Sequence, residues 1–158
     1  MSILAGVLRR LIYMSCVESG SVGLAHLVEY LVLLRLCNNR TGIRAAEMYF
    51  VRNMSKSEIA RRLGVTKDTV RGYVLRVLEK AGSHRAAAAG LKLVLPHLGR
   101  VRPVVKRSGS TYICELCGYT SAHPSTTPVH IMTSHRDALE QAVLRVFEVV
   151  SSGGARAG

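Results

Sequence analysis

Two cysteines and two histidines in the last third of the chain are spaced like metal ligands. Cys114 and Cys117 are separated by two residues, twelve residues lie between Cys117 and His130, and four lie between His130 and His135. Two thiolates on a tight turn and two imidazoles about one helical turn apart supply the four tetrahedral ligands that zinc prefers. The alternative is that the cysteines are reactive or merely buried. The spacing predicts one bound Zn²⁺.

Residues 111–150 therefore resemble the C2H2 zinc fingers, whose Cys-x2-Cys-x12-His-x4-His spacing they share. The resemblance implies a small ββα unit with a structural zinc, because four protein ligands leave no position for a catalytic water. His123 is the alternative ligand, although its spacing fits the family less well. Two core positions hold polar Ser121 and Thr127, and no basic residue stands where the family contacts bases, at His123, Thr126 and Val129. We expect the zinc to stabilise a small unit that lacks a hydrophobic core of its own.

The positive charge of the chain is concentrated in its middle third. The 158 residues include 22 Lys and Arg against 10 Asp and Glu, a net charge of +12. Residues 52–107 have a net charge of +11, whereas residues 108–158 have a net charge of −1. A basic segment of this kind favours a polyanionic partner, above all nucleic acid. The alternative is a solvated basic face without a partner.

Residues 55–81 carry the start and stop signals of two short helices. The Ser-x-x-Glu sequence that begins at Ser55 is a capping box and opens a helix to about Leu63. Thr66 caps a second helix over residues 67–80. Apolar residues at helical spacing give each helix one face for the core. The turn and the stop are glycines, Gly64 and Gly82.

These two helices resemble the helix-turn-helix of the LuxR-type regulators and of the promoter-reading region of bacterial sigma factors. The resemblance rests on Glu58-Ile59-Ala60, Leu63-Gly64-Val65-Thr66, Thr69-Val70-Arg71 and Glu79-Lys80, with residues 42–52 as the first helix of the three-helix unit. It implies that the second helix enters the major groove of double-stranded DNA with its N-terminal residues at base edges. The implied DNA contacts are Lys56, Arg61, Arg62, Thr66, Lys67, Asp68, Thr69, Arg71 and Arg76.

The implied contacts have different roles. Lys67 and Arg71 can each donate to guanine O6 and N7, contacts worth about 1–3 kcal/mol of discrimination. Thr66 and Thr69 lie at a helix start, where backbone amides favour phosphate. The remaining basic residues are phosphate contacts, which add affinity without sequence information: Lys56, Arg61, Arg62, Arg76 and Lys80. The alternative is that this three-helix unit is a protein-interaction module.

The expected fold is mainly α, with a tri-helical helix-turn-helix, flanking helices and a small ββα zinc finger. The predicted segments are N-terminal helices for scaffold or dimerisation (1–40), the helix-turn-helix domain (41–96), a basic linker (97–110), the finger with an extended C-terminal helix (111–150) and a disordered tail (151–158).

Several boundaries are predicted within these segments. Helices are expected over residues 3–14 and 22–36, and the second is apolar nearly all round, so it is buried in the core or in a subunit interface. Other predictions rest on single residues: Thr41 caps helix 42–52, Pro96 ends a helix that begins near Ser83, Val104-Val105 forms a short strand, and Pro128 lies in the first turn of the finger helix.

These features predict a cytoplasmic transcription regulator that binds double-stranded DNA, and we expect a homodimer. No acidic pair, nucleophile–base arrangement or phosphate-binding glycine loop indicates an enzyme or a small-molecule substrate. Residues 22–36 are too short, and too interrupted by charge, for a membrane span. The combination of a bacterial-type helix-turn-helix with a C2H2 finger resembles archaeal DNA-binding proteins.

Two other functions remain open at this point. In an RNA-binding or ribosome-associated zinc protein, the basic residues between 100 and 107 would matter as much as the recognition helix. In a protein-interaction adaptor of the transcription machinery, Lys67 and Arg71 would be dispensable.

Overall fold

The structure, a computed structural model, describes residues 22–156, so the helix predicted over residues 3–14 lies outside the described part. As expected, it is mainly helical, and it has one small antiparallel sheet in the order β1-β2-β3. Within residues 22–156, no helix combines the length and apolar character needed to cross a membrane. The helices are α1 (Val22–Leu36), α2 (Arg40–Ala46), α3 (Lys56–Leu63), α4 (Lys67–Ala81), α5 (His84–Leu98), α6 (Thr126–Ser134) and α7 (Arg136–Arg156). The strands are β1 (Val105–Ser108), β2 (Thr111–Cys114) and β3 (Thr120–Ser121).

Helix α1 is the centre of the hydrophobic core. Leu27, Val28, Leu31 and Val32 are each at most 1% exposed, and further buried residues follow to the end of the helix. Helices α4, α5 and α7 pack around it. A helix that is apolar nearly all round has to be covered on most of its sides. Of the two locations predicted for this helix, the structure shows the core of the chain itself.

The predicted starts and stops of α3 and α4 are confirmed. The Ser55 hydroxyl accepts a hydrogen bond from the Glu58 backbone N–H at 3.2 Å, and the Thr66 hydroxyl accepts one from the Thr69 N–H at 3.1 Å. Gly64 and Gly82 end the two helices with left-handed φ angles of 67° and 93°. Local side-chain capping therefore sets the boundaries of this helix pair.

The start and course of α2 differ from the prediction. The side chain of Asn39, not that of Thr41, caps the helix and accepts from the Gly42 N–H at 3.0 Å. Asn38 takes a left-handed φ of 58°, which an asparagine tolerates, and this turn places Asn39 at the cap. After Ala46 the chain continues as a π-helical turn over Glu47–Val51, whose wider winding accompanies the burial of Met48 and Phe50.

Helix α5 continues two residues past Pro96, so the prediction that this proline ends the helix is wrong. The cap at Ser83 is as expected, with its hydroxyl accepting from the Ala86 N–H at 3.1 Å. Pro96 removes one intrahelical donor. Leu98 in the last turn is nevertheless buried in the core, and this packing keeps the end of the helix in place.

The segment predicted as a basic linker supplies a strand to the sheet. The strand begins at Val105, one residue later than expected, and extends to Ser108. In the β1–β2 pair Val105 lies opposite Cys114, and in the β2–β3 pair Tyr112 lies opposite Ser121. Residues 105–108 are therefore part of the same sheet as Cys114, the first of the predicted metal ligands.

The C-terminal segment packs on the helical part of the chain. Leu139, Ala142 and Val146 of α7 are buried in the same hydrophobic core as α1. The Val104 N–H donates to the Leu36 carbonyl at 2.9 Å, and Arg35 Nε donates to the Val101 carbonyl at 3.0 Å. The buried residues from Ala25 to Phe147 thus form one core, and the boundaries predicted at 96 and 111 do not separate two cores among the described residues.

Helix α7 extends to Arg156, whereas we expected a disordered tail from residue 151. The first four turns of α7 are anchored by their buried face. Extending an existing helix costs less free energy than starting one, because each added residue gains a backbone hydrogen bond. Serine and glycine lower helix propensity without forbidding the helical conformation.

Gly23 marks a close approach between α1 and the end of α4, and this gives a test of the packing. A Cβ at this position would collide with the carbonyl oxygen of Ala81. We expect Gly23→Ala to lower the free energy of unfolding by about 1–3 kcal/mol, because a backbone atom cannot yield as a side chain can. Urea denaturation measures the change. The control is Gly99→Ala, where no atom lies within 4 Å of the added Cβ. Equal effects of the two substitutions would contradict the packing described.

Candidate metal centre and nucleic-acid interface

The four predicted metal ligands lie together at the junction of the sheet and α6. Cys114 ends β2, Cys117 lies in the turn before β3, His130 lies within α6, and His135 follows the last residue of α6. Their ligand atoms are all within 4.8 Å of one another, and Cys117 Sγ is 3.3 Å from His130 Nε2. A single ion bonded at about 2.0–2.3 Å to nitrogen and sulfur draws four such atoms into a tetrahedron.

A tight turn presents the two cysteines. The Gly118 N–H donates to the Cys114 carbonyl at 2.8 Å, and the Cys114 N–H donates to the Tyr119 carbonyl at 2.8 Å. Gly118 has a φ of 81°, a conformation that glycine adopts without strain. Burial raises the pKa of the Cys114 thiol, the backbone N–H groups of Leu116 and Cys117 oppose the rise, and the Cys117 side chain adds to it. A bound cation reverses this preference, because it stabilises the thiolate directly.

The two histidines are held in different ways. The rings of His130 and His135 are 4.9 Å apart and nearly perpendicular, and Tyr119 stacks on His130 at 4.1 Å. Burial lowers the pKa of His130, and His135 adds to the lowering, so the neutral form that binds metals persists to lower pH. His135 leaves the helical conformation, with φ −131° and ψ 38°, and its N–H still bonds the Ile131 carbonyl.

An unpartnered atom supports a metal at this site. His135 Nε2 is buried and has no hydrogen-bond partner among the described residues. Leaving a buried polar nitrogen unsatisfied costs about 1–3 kcal/mol, which a bond to a cation would remove. Two thiols and two imidazoles are a donor set that suits Zn²⁺. His123 is not a member of the group.

The rest of this unit has the weak core that the sequence predicts. Thr127 is only 3% exposed, and its hydroxyl has no partner among the described residues. The Ser121 hydroxyl bonds the Thr126 hydroxyl and the His123 carbonyl instead of contributing to a core. Pro128 is the third residue of α6, as predicted, and Val129 is 54% exposed. The packing of Ile131 and of α7 in the common core therefore restrains this unit, and the four grouped residues could add a metal to it.

The first turn of α4, which belongs to the predicted DNA-contact set, is exposed. Lys67, Asp68 and Thr69 are exposed, and the opposite face of α4 is buried through Val70, Val74 and Val77. The Thr66 and Thr69 hydroxyls are 2.8 Å apart. Arg71 is also exposed, and its guanidinium forms an ion pair with Asp68 at 3.3 Å.

The other predicted phosphate contacts are partly engaged within the chain. Arg61 and Arg62 both bond the carboxylate of Glu58, at 2.8 and 3.1 Å. These hydrogen bonds hold the pKa of Glu58 below its ordinary value and raise the pKa of Arg61. Lys56 lies 5.7 Å from the centre of the Tyr49 ring, and Arg76 lies 5.6 Å from that of Tyr73.

A cleft that the sequence analysis missed lies between α4 and β1. It has a volume of about 640 Å³, and Arg40, Thr69, Tyr73, Lys106 and Arg107 are among the residues that line it. The run of basic residues between 100 and 107 was the available signal for one wall. Nothing in the sequence joins that run to Arg40, because the packing of the sheet on the end of α1 brings them together.

Comparison of the chain with protein-family models, with curated proteins and with solved structures found no match in any of the three. The metal centre and the α3–α4 helix pair are therefore interpreted from their own geometry and chemistry.

Zinc content tests the metal centre directly. We expect one zinc per chain, and we expect Cys114→Ser to reduce the ratio to near zero and to lower the melting temperature, because ligation contributes folding free energy. The matched control is His123→Gln, which changes a residue outside the group and leaves the ratio unchanged. Elemental analysis and thermal unfolding with and without a chelator measure both effects. A metal-free chain with an unchanged melting temperature would contradict a structural zinc.

The cysteines differ in their expected reactivity. Burial, and secondarily the neighbouring Cys114, raises the pKa of Cys37 to about 12. At pH 8 its thiolate fraction is then on the order of 10⁻⁴, so iodoacetamide should leave Cys37 unmodified in the folded protein. Exposed Cys117 should react once a chelator has removed zinc and should be protected before. Peptide mapping by mass spectrometry measures both sites. Rapid modification of Cys37 in the native protein would contradict its burial.

Proposed function

We propose that this chain is a sequence-specific DNA-binding transcription regulator, with a helix-turn-helix formed by α3 and α4 and a C2H2-type zinc finger that holds one structural zinc. The observation that carries the proposal is the exposed first turn of α4. A helix whose apolar face is buried and whose N-terminal polar residues project into solvent has the form of a recognition helix. The net charge of +11 over residues 52–107 supports a polyanionic partner.

Lys67 and Arg71 are the proposed base contacts. Within the described chain no carboxylate pairs with Lys67, so its three donors are available to guanine O6 and N7. Arg71 pairs with Asp68, whose side chain is 88% exposed. An exposed pair of this kind is worth about 0–1 kcal/mol, less than a bidentate contact to a base. Breaking the Arg71–Asp68 pair would therefore cost less free energy than the contact with a base contributes.

The proposed phosphate contacts surround this turn. Arg61 and Arg62 share the single carboxylate of Glu58, so the group retains one net positive charge for the DNA backbone. Lys56 and Arg76 extend the same role, which supplies affinity rather than sequence preference. Thr66 retains its cap in this proposal, because its hydroxyl holds the start of the recognition helix.

The zinc finger has a structural role in the proposal. Its four ligands are all protein side chains, and its core contains the unpaired Thr127 hydroxyl, so the ion replaces packing that the unit lacks. The proposal includes no catalytic step. It also includes a cytoplasmic location, where free thiols persist, and a homodimer, because two copies reading two half-sites raise specificity.

Charge reversal in α4 tests the proposal. We expect Lys67→Glu with Arg71→Glu to weaken binding to the protein's selected duplex by roughly 100-fold or more, the sum of two lost base contacts. The control is Arg85→Glu with Lys92→Glu, which makes the same charge change at exposed positions of α5. Fluorescence anisotropy with the zinc-loaded protein measures the affinities.

Competition experiments at matched salt then separate the alternatives. Structured RNA that competes as well as or better than duplex DNA would overturn the regulator in favour of an RNA-binding protein. Equal losses for the α4 and α5 variants would mean that net charge alone attracts DNA. The absence of any duplex binding would leave the protein-interaction adaptor as the better interpretation.

A further inference from the structure

We propose that the cleft between α4 and β1 binds the phosphodiester backbone of the duplex whose major groove α4 enters. This inference rests on the proposed function and adds a second contact to it. The segment predicted as a linker then becomes part of the DNA-binding surface, through Lys106 and Arg107 of β1.

The cleft shares a wall with the proposed recognition helix. Thr69, in the first turn of α4, lines it together with Tyr73 one turn later. Tyr73 is fixed by Asn39, whose Nδ2 donates to the tyrosine oxygen at 2.9 Å. The other walls include residues 38–41, residues 105–107 of β1, and the start of α6 with Pro128. A duplex seated on the first turn of α4 therefore lies next to this cleft.

The charge of the cleft is uniformly positive. Arg40, Lys106 and Arg107 line it, and none of the described residues that line it is acidic. These three side chains also have no carboxylate partner within the described chain, in contrast to Arg61, Arg62 and Arg71. Unpaired cations bind phosphate without first losing an internal ion pair. The cleft is thus better prepared for an anion than the arginines of α3 are.

Arg107 is held in place before any ligand arrives. Its Nε donates to the Gly109 carbonyl at 3.0 Å, and its guanidinium lies 5.7 Å from the centre of the Tyr112 ring. Gly109 has a φ of 63°, which forms the tight turn between β1 and β2. The Nε bond leaves the terminal amino groups of Arg107 to face a phosphate. A prepositioned guanidinium loses less side-chain entropy on binding than a free one.

Two double variants separate the effect of the cleft on binding from the effect of the protein's net charge. Lys106→Gln with Arg107→Gln removes two charges from the cleft, and Arg100→Gln with Arg102→Gln removes two exposed charges from the same segment outside it. The probe is a 30-base-pair duplex titrated with zinc-loaded protein over a range of salt concentrations. Each lost phosphate contact lowers the slope of log affinity against log salt by about 0.9, or roughly fivefold in affinity near 0.15 M salt. We therefore expect the cleft variant to bind roughly 30-fold more weakly, with a slope shallower by about 2, and the control to change little.

Two further variants test whether the other cation of the cleft and the guanidinium of Arg107 contribute to binding. Arg40→Gln, which removes the cation contributed by α2, should weaken binding in the same direction. Arg107→Lys keeps the charge but loses the planar group and its Nε bond to Gly109, so we expect a loss of affinity that is measurable but smaller than that of Lys106→Gln with Arg107→Gln. Circular dichroism and zinc content establish that each variant is folded. A loss that appears only with unfolding or zinc release would overturn the inference.

The outcomes distinguish this inference from the proposed function. If the native protein binds no duplex, the proposed function fails. If charge reversal at Lys67 and Arg71 abolishes binding while the cleft variant binds normally, only the inference on the cleft fails. Equal losses in the cleft and control variants overturn it as well. Binding of inorganic phosphate by the cleft without any effect on duplex affinity would indicate a small-anion site, and a larger loss for structured RNA than for duplex DNA would indicate an RNA contact.

Discussion

The burial of α1 is the constraint on which the remaining structure depends. This helix is apolar nearly all round, so α4, α5 and α7 all have to pack around it to remove most of its surface from water. The requirement draws elements that are distant in the sequence into one core, and it brings the sheet against the end of α1 through the Val104 to Leu36 hydrogen bond. The group of four candidate metal ligands and the basic cleft both lie where that packing joins the two parts of the chain.

Local signals in the sequence predict α3 and α4 closely, because their boundaries depend on nearby residues. Ser55 and Thr66 cap their own helices, and Gly64 and Gly82 end them through conformations that few other residues adopt. The same reasoning fails where long-range packing decides the outcome. Pro96 does not end α5, since Leu98 is held in the core, and the short strand predicted at Val104-Val105 instead runs from Val105 to Ser108 because β2 is there to pair with it.

The candidate sites likewise combine features that the sequence predicts with features that depend on the tertiary fold. The ligand group follows from spacing alone, because two residues between cysteines and four between histidines fix how far apart the donors can lie. The stacking of Tyr119 on His130 has no comparable signal, since an aromatic residue at that position has several other possible neighbours. Arg40 is a stronger example: it precedes the helix pair in the chain, and only the tertiary fold places it in the cleft with Lys106.

His135 belongs to two structures at once. It is one of the four grouped ligands, and its carbonyl accepts the Leu139 N–H at the start of α7, whose buried face closes over α1. A unit connected in this way has no boundary that separates it from the helices it packs against. In evolutionary terms, we expect that the segment holding the four grouped residues cannot be exchanged by recombination as an independent module. We expect it to be inherited together with the helices it packs against, and to change in step with them.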